Sequence, residues 1–367
     1  MNRHLEIKGA DISTLIEEES CGAVYFDNGK KDDLLNILKR YGINSARIRL
    51  FNDPYSESGE PYGAGTNDLE KTLALAKRAK MAGMSILLDL HYSDFWADPG
   101  KQNVPKAWRG LKPGELANKI YDYTAFVLKE LEKNGTVPEM VQVGNEITNG
   151  LLWPTGKKPE YDNIALYVGS GIRAVNDFAP GIRTMIHLDN GGNNPMYIDW
   201  FDNYIKRGPD FDIIGFSYYP FWHGNLADLE YNIRDMAKRY HKDLVVAEVS
   251  MGFSMEDYRS YEGKPVEELK GYATKQELVE KLEYPMTPKG QSDFMNDFMT
   301  RISGIEECLG FYYWEPGWIP VPGCGWATEA ALKYTGEKGP GGNEWANQAL
   351  FDYDGNALPA LEVIKNQ

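Results

Sequence analysis

Two glutamates, Glu146 in Val-Gln-Val-Gly-Asn-Glu and Glu248 in Leu-Val-Val-Ala-Glu, each close a short, strongly β-prone run. Two carboxyls raised on the ends of two strands are the minimum equipment for cutting a glycosidic bond. One stays protonated beside the leaving oxygen while the other, ionised, attacks or stabilises the cationic sugar carbon. Asn145, just before Glu146, can hydrogen-bond a sugar 2-hydroxyl, a contact that strengthens in the transition state. Arg49 is the cation expected to hold Glu248 ionised, the alternative being a structural pair with Asp89 or another carboxylate. Tyr219 is a second donor to Glu248, provided that it and not the adjacent Tyr218 points inward.

Asp11, His91, Asp94 and Asn190 follow other β-prone runs and are candidate substrate-binding groups. Trp96, Trp222 and Trp314 supply flat rings for stacking on sugar, with Trp314 as the floor at the cleavage point; Trp108 and Trp318 are further loop rings. Asp89-Leu-His91 and His187-Leu-Asp189 also look like half-sites of a metal-dependent hydrolase. The His-x-His pair of many metal-dependent barrels is missing, however, and no metal ligand is assigned.

These residues need elements that bring strand ends together. Strand-like runs cover Leu5 to Lys8, Ile43 to Phe51, Met84 to His91, Met140 to Gly144, Thr184 to Leu188, Phe211 to Ser217, Leu244 to Val249 and Leu309 to Trp314. Helical patterns lie between and after them: Lys31 to Tyr41, Asp68 to Ala82, Gly114 to Lys133, Tyr161 to Phe178, Tyr197 to Lys206, Leu226 to Tyr240, Ser292 to Ile305 and a short one near Trp345 to Leu350. Strands alternating with helices require parallel pairing by right-handed crossovers, and eight such units close into a (β/α)8 TIM barrel. An open doubly wound sheet is the alternative, but no Gly-rich phosphate loop follows the first strand. Residues 1–367 are read as one such catalytic domain, with long loops after the seventh strand (Met251 to Met286) and the eighth (Pro316 to Asn343). In a barrel these loops wall the substrate cleft.

Composition narrows the partner. A formal net charge of −15 with no run of Lys or Arg argues against nucleic acid or an anionic membrane, and favours a neutral ligand such as a sugar. No apolar run is long enough to cross a bilayer. Three cysteines, Cys21, Cys308 and Cys324, lack metal-site spacing, and a single Cys308–Cys324 bridge is the one pairing considered. The chain is expected to act as a monomer. It is cytoplasmic if its first Met is native, and secreted if a leader was removed.

With these residues in view, the chain resembles glycoside hydrolase family 53, the endo-β-1,4-galactanases. The stretches that carry the resemblance are Ala46-Arg-Ile-Arg-Leu-Phe-Asn-Asp-Pro54, Leu88-Asp-Leu-His-Tyr-Ser-Asp-Phe-Trp-Ala-Asp-Pro99, Val143-Gly-Asn-Glu-Ile147, Phe216-Ser-Tyr-Tyr-Pro-Phe-Trp-His-Gly224 and Phe311-Tyr-Tyr-Trp-Glu-Pro-Gly-Trp-Ile-Pro320. It implies endo-hydrolysis of β-1,4-galactan, the side chain of type I arabinogalactan, with Glu146 as general acid/base, Glu248 as nucleophile and retention of configuration. A mannan or glucan substrate, or a glycan-binding barrel without turnover, are the rival readings. The family's bacterial members carry an acidic Gly-rich loop after the nucleophile that helps bind calcium. Here Glu248-Val-Ser-Met-Gly-Phe-Ser-Met-Glu-Asp-Tyr-Arg259 lacks that character, which leaves a structural calcium open, while catalysis is expected to need no cofactor.

Overall fold

A computed structural model describes residues 4–256, 258, 275–338 and 341–367. Eight parallel strands close into a barrel: β1 (Ile7–Asp11), β2 (Ser45–Leu50), β3 (Ser85–Leu90), β4 (Met140–Val143), β5 (Arg183–Leu188), β6 (Ile213–Tyr218), β7 (Asp243–Val249) and β8 (Cys308–Tyr313). The helices that return the chain are α1 (Leu34–Arg40), α2 (Leu69–Met81), α3 (Pro113–Lys133), α4 (Tyr161–Phe178), α5 (Asn194–Ile205), α6 (Leu226–Tyr240), α7 (Pro288–Ser303) and α8 (Ala360–Asn366). This is the expected (β/α)8 barrel.

Local chemistry starts several of these helices. Asp33, Asp68, Asn193, Asn225 and Thr287 each accept a backbone N–H of the first turn, so donors that a helix start leaves orphaned are satisfied. The main hydrophobic core fills the layer between helices and barrel, for example Ile48, Leu88, Val141, Ile186, Phe216 and Phe311 on strand faces opposite those that line the interior.

Inside the barrel, the N-terminal end of the strands is plugged by Ile7, Leu87, Met140, Met185, Ile213, Val245, Leu309 and Tyr312. Tyr312 is the largest member and lies over Gly9, where a Cβ would stand 2.2 Å from its ring; its hydroxyl is 2.7 Å from Ser45 Oγ. Toward the C-terminal ends the inward residues turn polar: Asp11, Arg47, Arg49, Asp89, Gln142, His187, Ser217 and Glu248. That polar layer is the floor of the site.

Several elements differ from the sequence reading. β1 extends to Asp11, which makes Asp11 part of the barrel wall. The eighth helix is Ala360–Asn366, while Ala346–Gln348 is only a 3-10 turn. Lys8 Nζ donates to the Ile364 carbonyl at 2.8 Å, joining the chain's last helix to its first strand. A hairpin, Tyr25–Asp27 with Lys30–Asp32, precedes α1 and turns on Asn28 and Gly29, both at positive φ. Among the cysteines, Cys308 is buried on β8, and Cys324 lies elsewhere, on the loop beyond it; none of the three is in a disulfide. Of the loop after β7, residues 257 and 259–274 lie outside the described residues, and so does Arg259 of the stretch considered for calcium.

Candidate active site

Glu146 stands where β4 gives way to a 3-10 turn, with its own backbone left-handed (φ 45°, ψ 50°) after Gly144 at φ 83°. The two positive φ values turn the chain sharply off the barrel rim and present the carboxyl to the centre. Glu248 is the penultimate residue of β7, and a register shift between β6 and β7 sets it opposite Ser217. One oxygen from each of the two carboxyls and one ring nitrogen of His187 lie within 4.8 Å of one another.

The two carboxyls have different surroundings. Glu248 Oε1 is 3.0 Å from Arg47 Nη2, and its Oε2 accepts from the Tyr219 hydroxyl at 2.6 Å. Glu146 has Ser217 Oγ 2.6 Å from Oε1 and, among the described residues, no cation in contact. Burial raises both carboxyls above the usual range. At Glu248 the Arg47 guanidinium and the Tyr219 hydroxyl pull it back. At Glu146 the neighbouring Glu248 and Asp189 carboxylates push it further up, against a Ser217 hydrogen bond that pulls it down, so that Glu146 is the more strongly raised of the two.

Arg47, and not Arg49, is the cation at Glu248. It is completely enclosed and also meets Asp11 at 2.8 Å, Asp89 at 2.8 Å, Asn145 Oδ1 at 2.8 Å and Gln142 Oε1 at 3.2 Å. Arg49 pairs instead with Glu315 at 2.6 Å, donates to the Ala64 carbonyl at 2.9 Å and lies 4.3 Å from the Trp96 ring. Both arginines share the inward face of β2, two residues apart; the guanidinium one step deeper crosses the barrel, while the one at the rim reaches sideways to β8.

The cleft has a volume of about 440 Å³ and takes in Trp96, Asn145, Glu146, Tyr219, Trp222, Glu248 and Trp314 from the sequence-derived set. Tyr219 is the inward tyrosine; Tyr218 donates to the Gly224 carbonyl and packs on Phe294. Trp314 lines the same cleft as the two carboxyls, 9% exposed, with Trp96, Tyr219, Trp318 and Trp345 around it.

Asp11, Arg49, His91, Asp94 and Asn190 are not among the cleft residues. Asp11 is wholly buried, held by Ser13 and Arg47. His91 bridges Asp89 and the Ala97 N–H. Asp94 accepts from Lys106 N and Tyr334, and Asn190 donates to Asp189. They brace the rim from behind. Trp318 is buried beneath Trp314 and donates to Asn343, whereas Trp108 lines a separate recess with Trp153.

The sequence reading missed Trp326, Trp345, Lys101 and Glu337 as cleft residues. Lys101 joins Asp98 at 2.5 Å and Glu337 at 3.0 Å, linking the loops after β3 and β8. Their signal was only their position in strand-end loops. As a metal set, Glu146, His187 and Glu248 are poorly suited: Nε2 of His187 is 2.9 Å from Ser217 and Nδ1 3.1 Å from Asn145, so neither nitrogen is left over.

An acid and an anion at the mouth of a closed parallel barrel, ringed by indoles, define a glycosidase of the barrel class. The sequence carries the relationship further, since the model of glycosyl hydrolase family 53 matches residues 7–364. The chain belongs to that family of glycoside hydrolases. An endo-β-1,4-galactanase of Bacillus subtilis is 37% identical, covering 98% of this chain and 85% of that protein. An arabinogalactan endo-β-1,4-galactanase of Thermothelomyces thermophilus is 32% identical, covering 98% and 99%. The catalytic domain of the family 53 enzyme of Ignisphaera aggregans superposes with a TM-score of 0.89 at 39% identity, covering 98% and 95%.

Proposed function

We propose that this protein is a retaining endo-hydrolase of β-1,4-galactosidic bonds in galactan and type I arabinogalactan. Glu248 attacks the anomeric carbon while Glu146 protonates the departing oxygen; Glu146 then deprotonates a water that releases the sugar from Glu248. The two steps draw on side chains alone and call for no cofactor.

The observation that carries this reading is that an oxygen of one carboxyl lies within 4.8 Å of an oxygen of the other. Retention works at about 5 to 5.5 Å, whereas inversion needs roughly 6.5 to 9.5 Å to seat a water between the groups. The contrast in partners supports the division of roles, with Arg47 and Tyr219 on Glu248 and, among the described residues, no cation on Glu146. Galactan as the substrate is supported by the activities named for the relatives.

Linear β-1,4-galactan tests it, with viscosity and reducing ends followed together beside β-mannan and β-glucan. Viscosity should fall early on galactan, and the first product should carry the β-anomer. Glu248→Gln should abolish turnover. Glu146→Ala should lose about 10²- to 10⁴-fold on galactan, yet keep its first step on an aryl galactoside whose leaving group needs no proton. Near-normal galactan hydrolysis by Glu248→Gln would overturn the assignment, and preference for mannan or glucan would change the substrate alone.

A further inference from the structure

We propose that His187 and Ser217 are positioning residues that hold Glu146 as a carboxylic acid in the resting enzyme, through a hydrogen-bond chain whose direction Arg47 sets. The proposal rests on the reading of Glu146 as the general acid. Five contacts lead from one carboxyl to the other. Arg47 Nη2 is 3.0 Å from Glu248 Oε1 and 2.8 Å from Asn145 Oδ1. Asn145 Oδ1 is 3.1 Å from His187 Nδ1, His187 Nε2 is 2.9 Å from Ser217 Oγ, and Ser217 Oγ is 2.6 Å from Glu146 Oε1.

A guanidinium only donates, so the chain has one possible sense at its Arg47 end. The Asn145 amide is held the same way round: its Nδ2 donates to the Ala97 carbonyl at 2.8 Å, and Gln142 Nε2 donates to its Oδ1 at 3.0 Å. Asn145 Oδ1 is therefore an acceptor, and its contact with His187 bonds only if Nδ1 carries the proton. Burial keeps the His187 ring neutral, with Arg47, His91 and His223 acting in the same direction and Asp89 against them. A neutral ring protonated at Nδ1 is bare at Nε2, so the single proton of Ser217 goes to His187. Ser217 can then only accept from Glu146, and the group that donates to it is a carboxylic acid O–H.

Every link in the chain is thus made when Glu146 is protonated. Glu248, Asp189 and Asp98, all acidic, push the Glu146 proton affinity up, and only a hydrogen bond donated by Ser217 would pull it down. The competing contact, Glu146 N–H to His187 Nδ1, is long at 3.5 Å. In the first step the acid O–H turns from Ser217 to the leaving oxygen and gives up its proton there. The carboxylate left behind faces a serine oxygen that is already donating elsewhere. It regains its proton from the attacking water in the second step, and His187 and Ser217 neither gain nor lose one over the cycle.

Proton-detected NMR of the wild-type enzyme labelled with ¹⁵N-histidine reads the tautomer directly. The chain has five histidines, and the His187→Gln spectrum identifies the signal that belongs to His187. A neutral ring with its proton on Nδ1 is expected; a proton on Nε2 with Nδ1 bare overturns the proposal. Ser217→Ala gives a second, independent sign. It removes the oxygen that disfavours the carboxylate, so the alkaline limb of kcat/KM should move to lower pH by about one unit, the worth of one hydrogen bond. If Ser217 instead donates to a resting carboxylate, the limb moves up; a limb that moves up or stays in place also overturns the proposal. Absence of galactan hydrolysis in the wild type would sink the parent reading without altering the tautomer measured.

Discussion

The proton on Glu146 has a consequence for folding that is separable from catalysis. Burial and the adjacent Glu248 raise its folded pKa well above the unfolded value. Between those two values the native state holds a proton that the unfolded chain has released, so its contribution to stability is present at low pH and is lost as pH rises through the folded pKa. Glu146→Gln removes this loss. Thermal unfolding should show the variant gaining on the wild type steadily from about pH 4.5 upward, and a constant difference across that range would count against a raised pKa. The two arginines make a second pair of predictions. Arg47 touches Asp11, Asp89, Asn145 and Glu248, so Arg47→Lys keeps the charge but cannot reach all of them, and kcat should collapse. Arg49→Lys, next to Glu315, should lower Tm more than kcat. The two facing glutamates were legible in the sequence because each closes a β-prone run. The choice between Arg47 and Arg49 was not, because residues two apart on a strand share a face and differ only in depth.

Among the elements, the seam between β1 and β8 is where the barrel is least tolerant. Gly9 leaves the space that the Tyr312 ring fills, and the Gly310 backbone approaches Ile7 so closely that a Cβ would stand 1.8 Å from its carbonyl oxygen. Gly9→Ala should therefore lower Tm sharply, and Gly9→Ala combined with Tyr312→Leu should recover part of the loss; no recovery would mean that the ring is not the obstacle. The long helices and seven of the strands could be read from periodicity because each buries one face or both over several residues. α8 was hidden because seven residues with Leu361 and Ile364 carry too little pattern to stand out from the loops around them. The hairpin at Asn28-Gly29 did carry a sequence signal, the Asn-Gly turn, but its strands are three residues each and show no alternation.

For the whole molecule, a formal charge of −15 and a cleft that gathers Asp98, Glu146, Asp189, Glu248, Glu337 and Glu344 set the kind of chain that can be drawn in. Attraction to a neutral galactan is by stacking and hydrogen bonds, so KM should stay level as salt rises from low to physiological strength, over which exposed charges lose much of their reach. Galactan carrying uronic acid should bind less well at low salt and recover as salt is added. The same acidity reaches inside the barrel, where Arg47 and Arg49 face Asp11, Asp89, Glu248 and Glu315, and Glu146 stands beside Glu248. Not all five can ionise against two cations: burial and the Glu248 carboxylate push Glu146 well up, and burial lifts Glu315 to about 8. A sixth buried carboxyl, Glu18, is likewise pushed up away from the cleft. The native molecule is consequently less negative at neutral pH than its composition states, and denaturation is itself an acidification: as the barrel opens, protons that its interior had withheld from the solvent pass into the buffer.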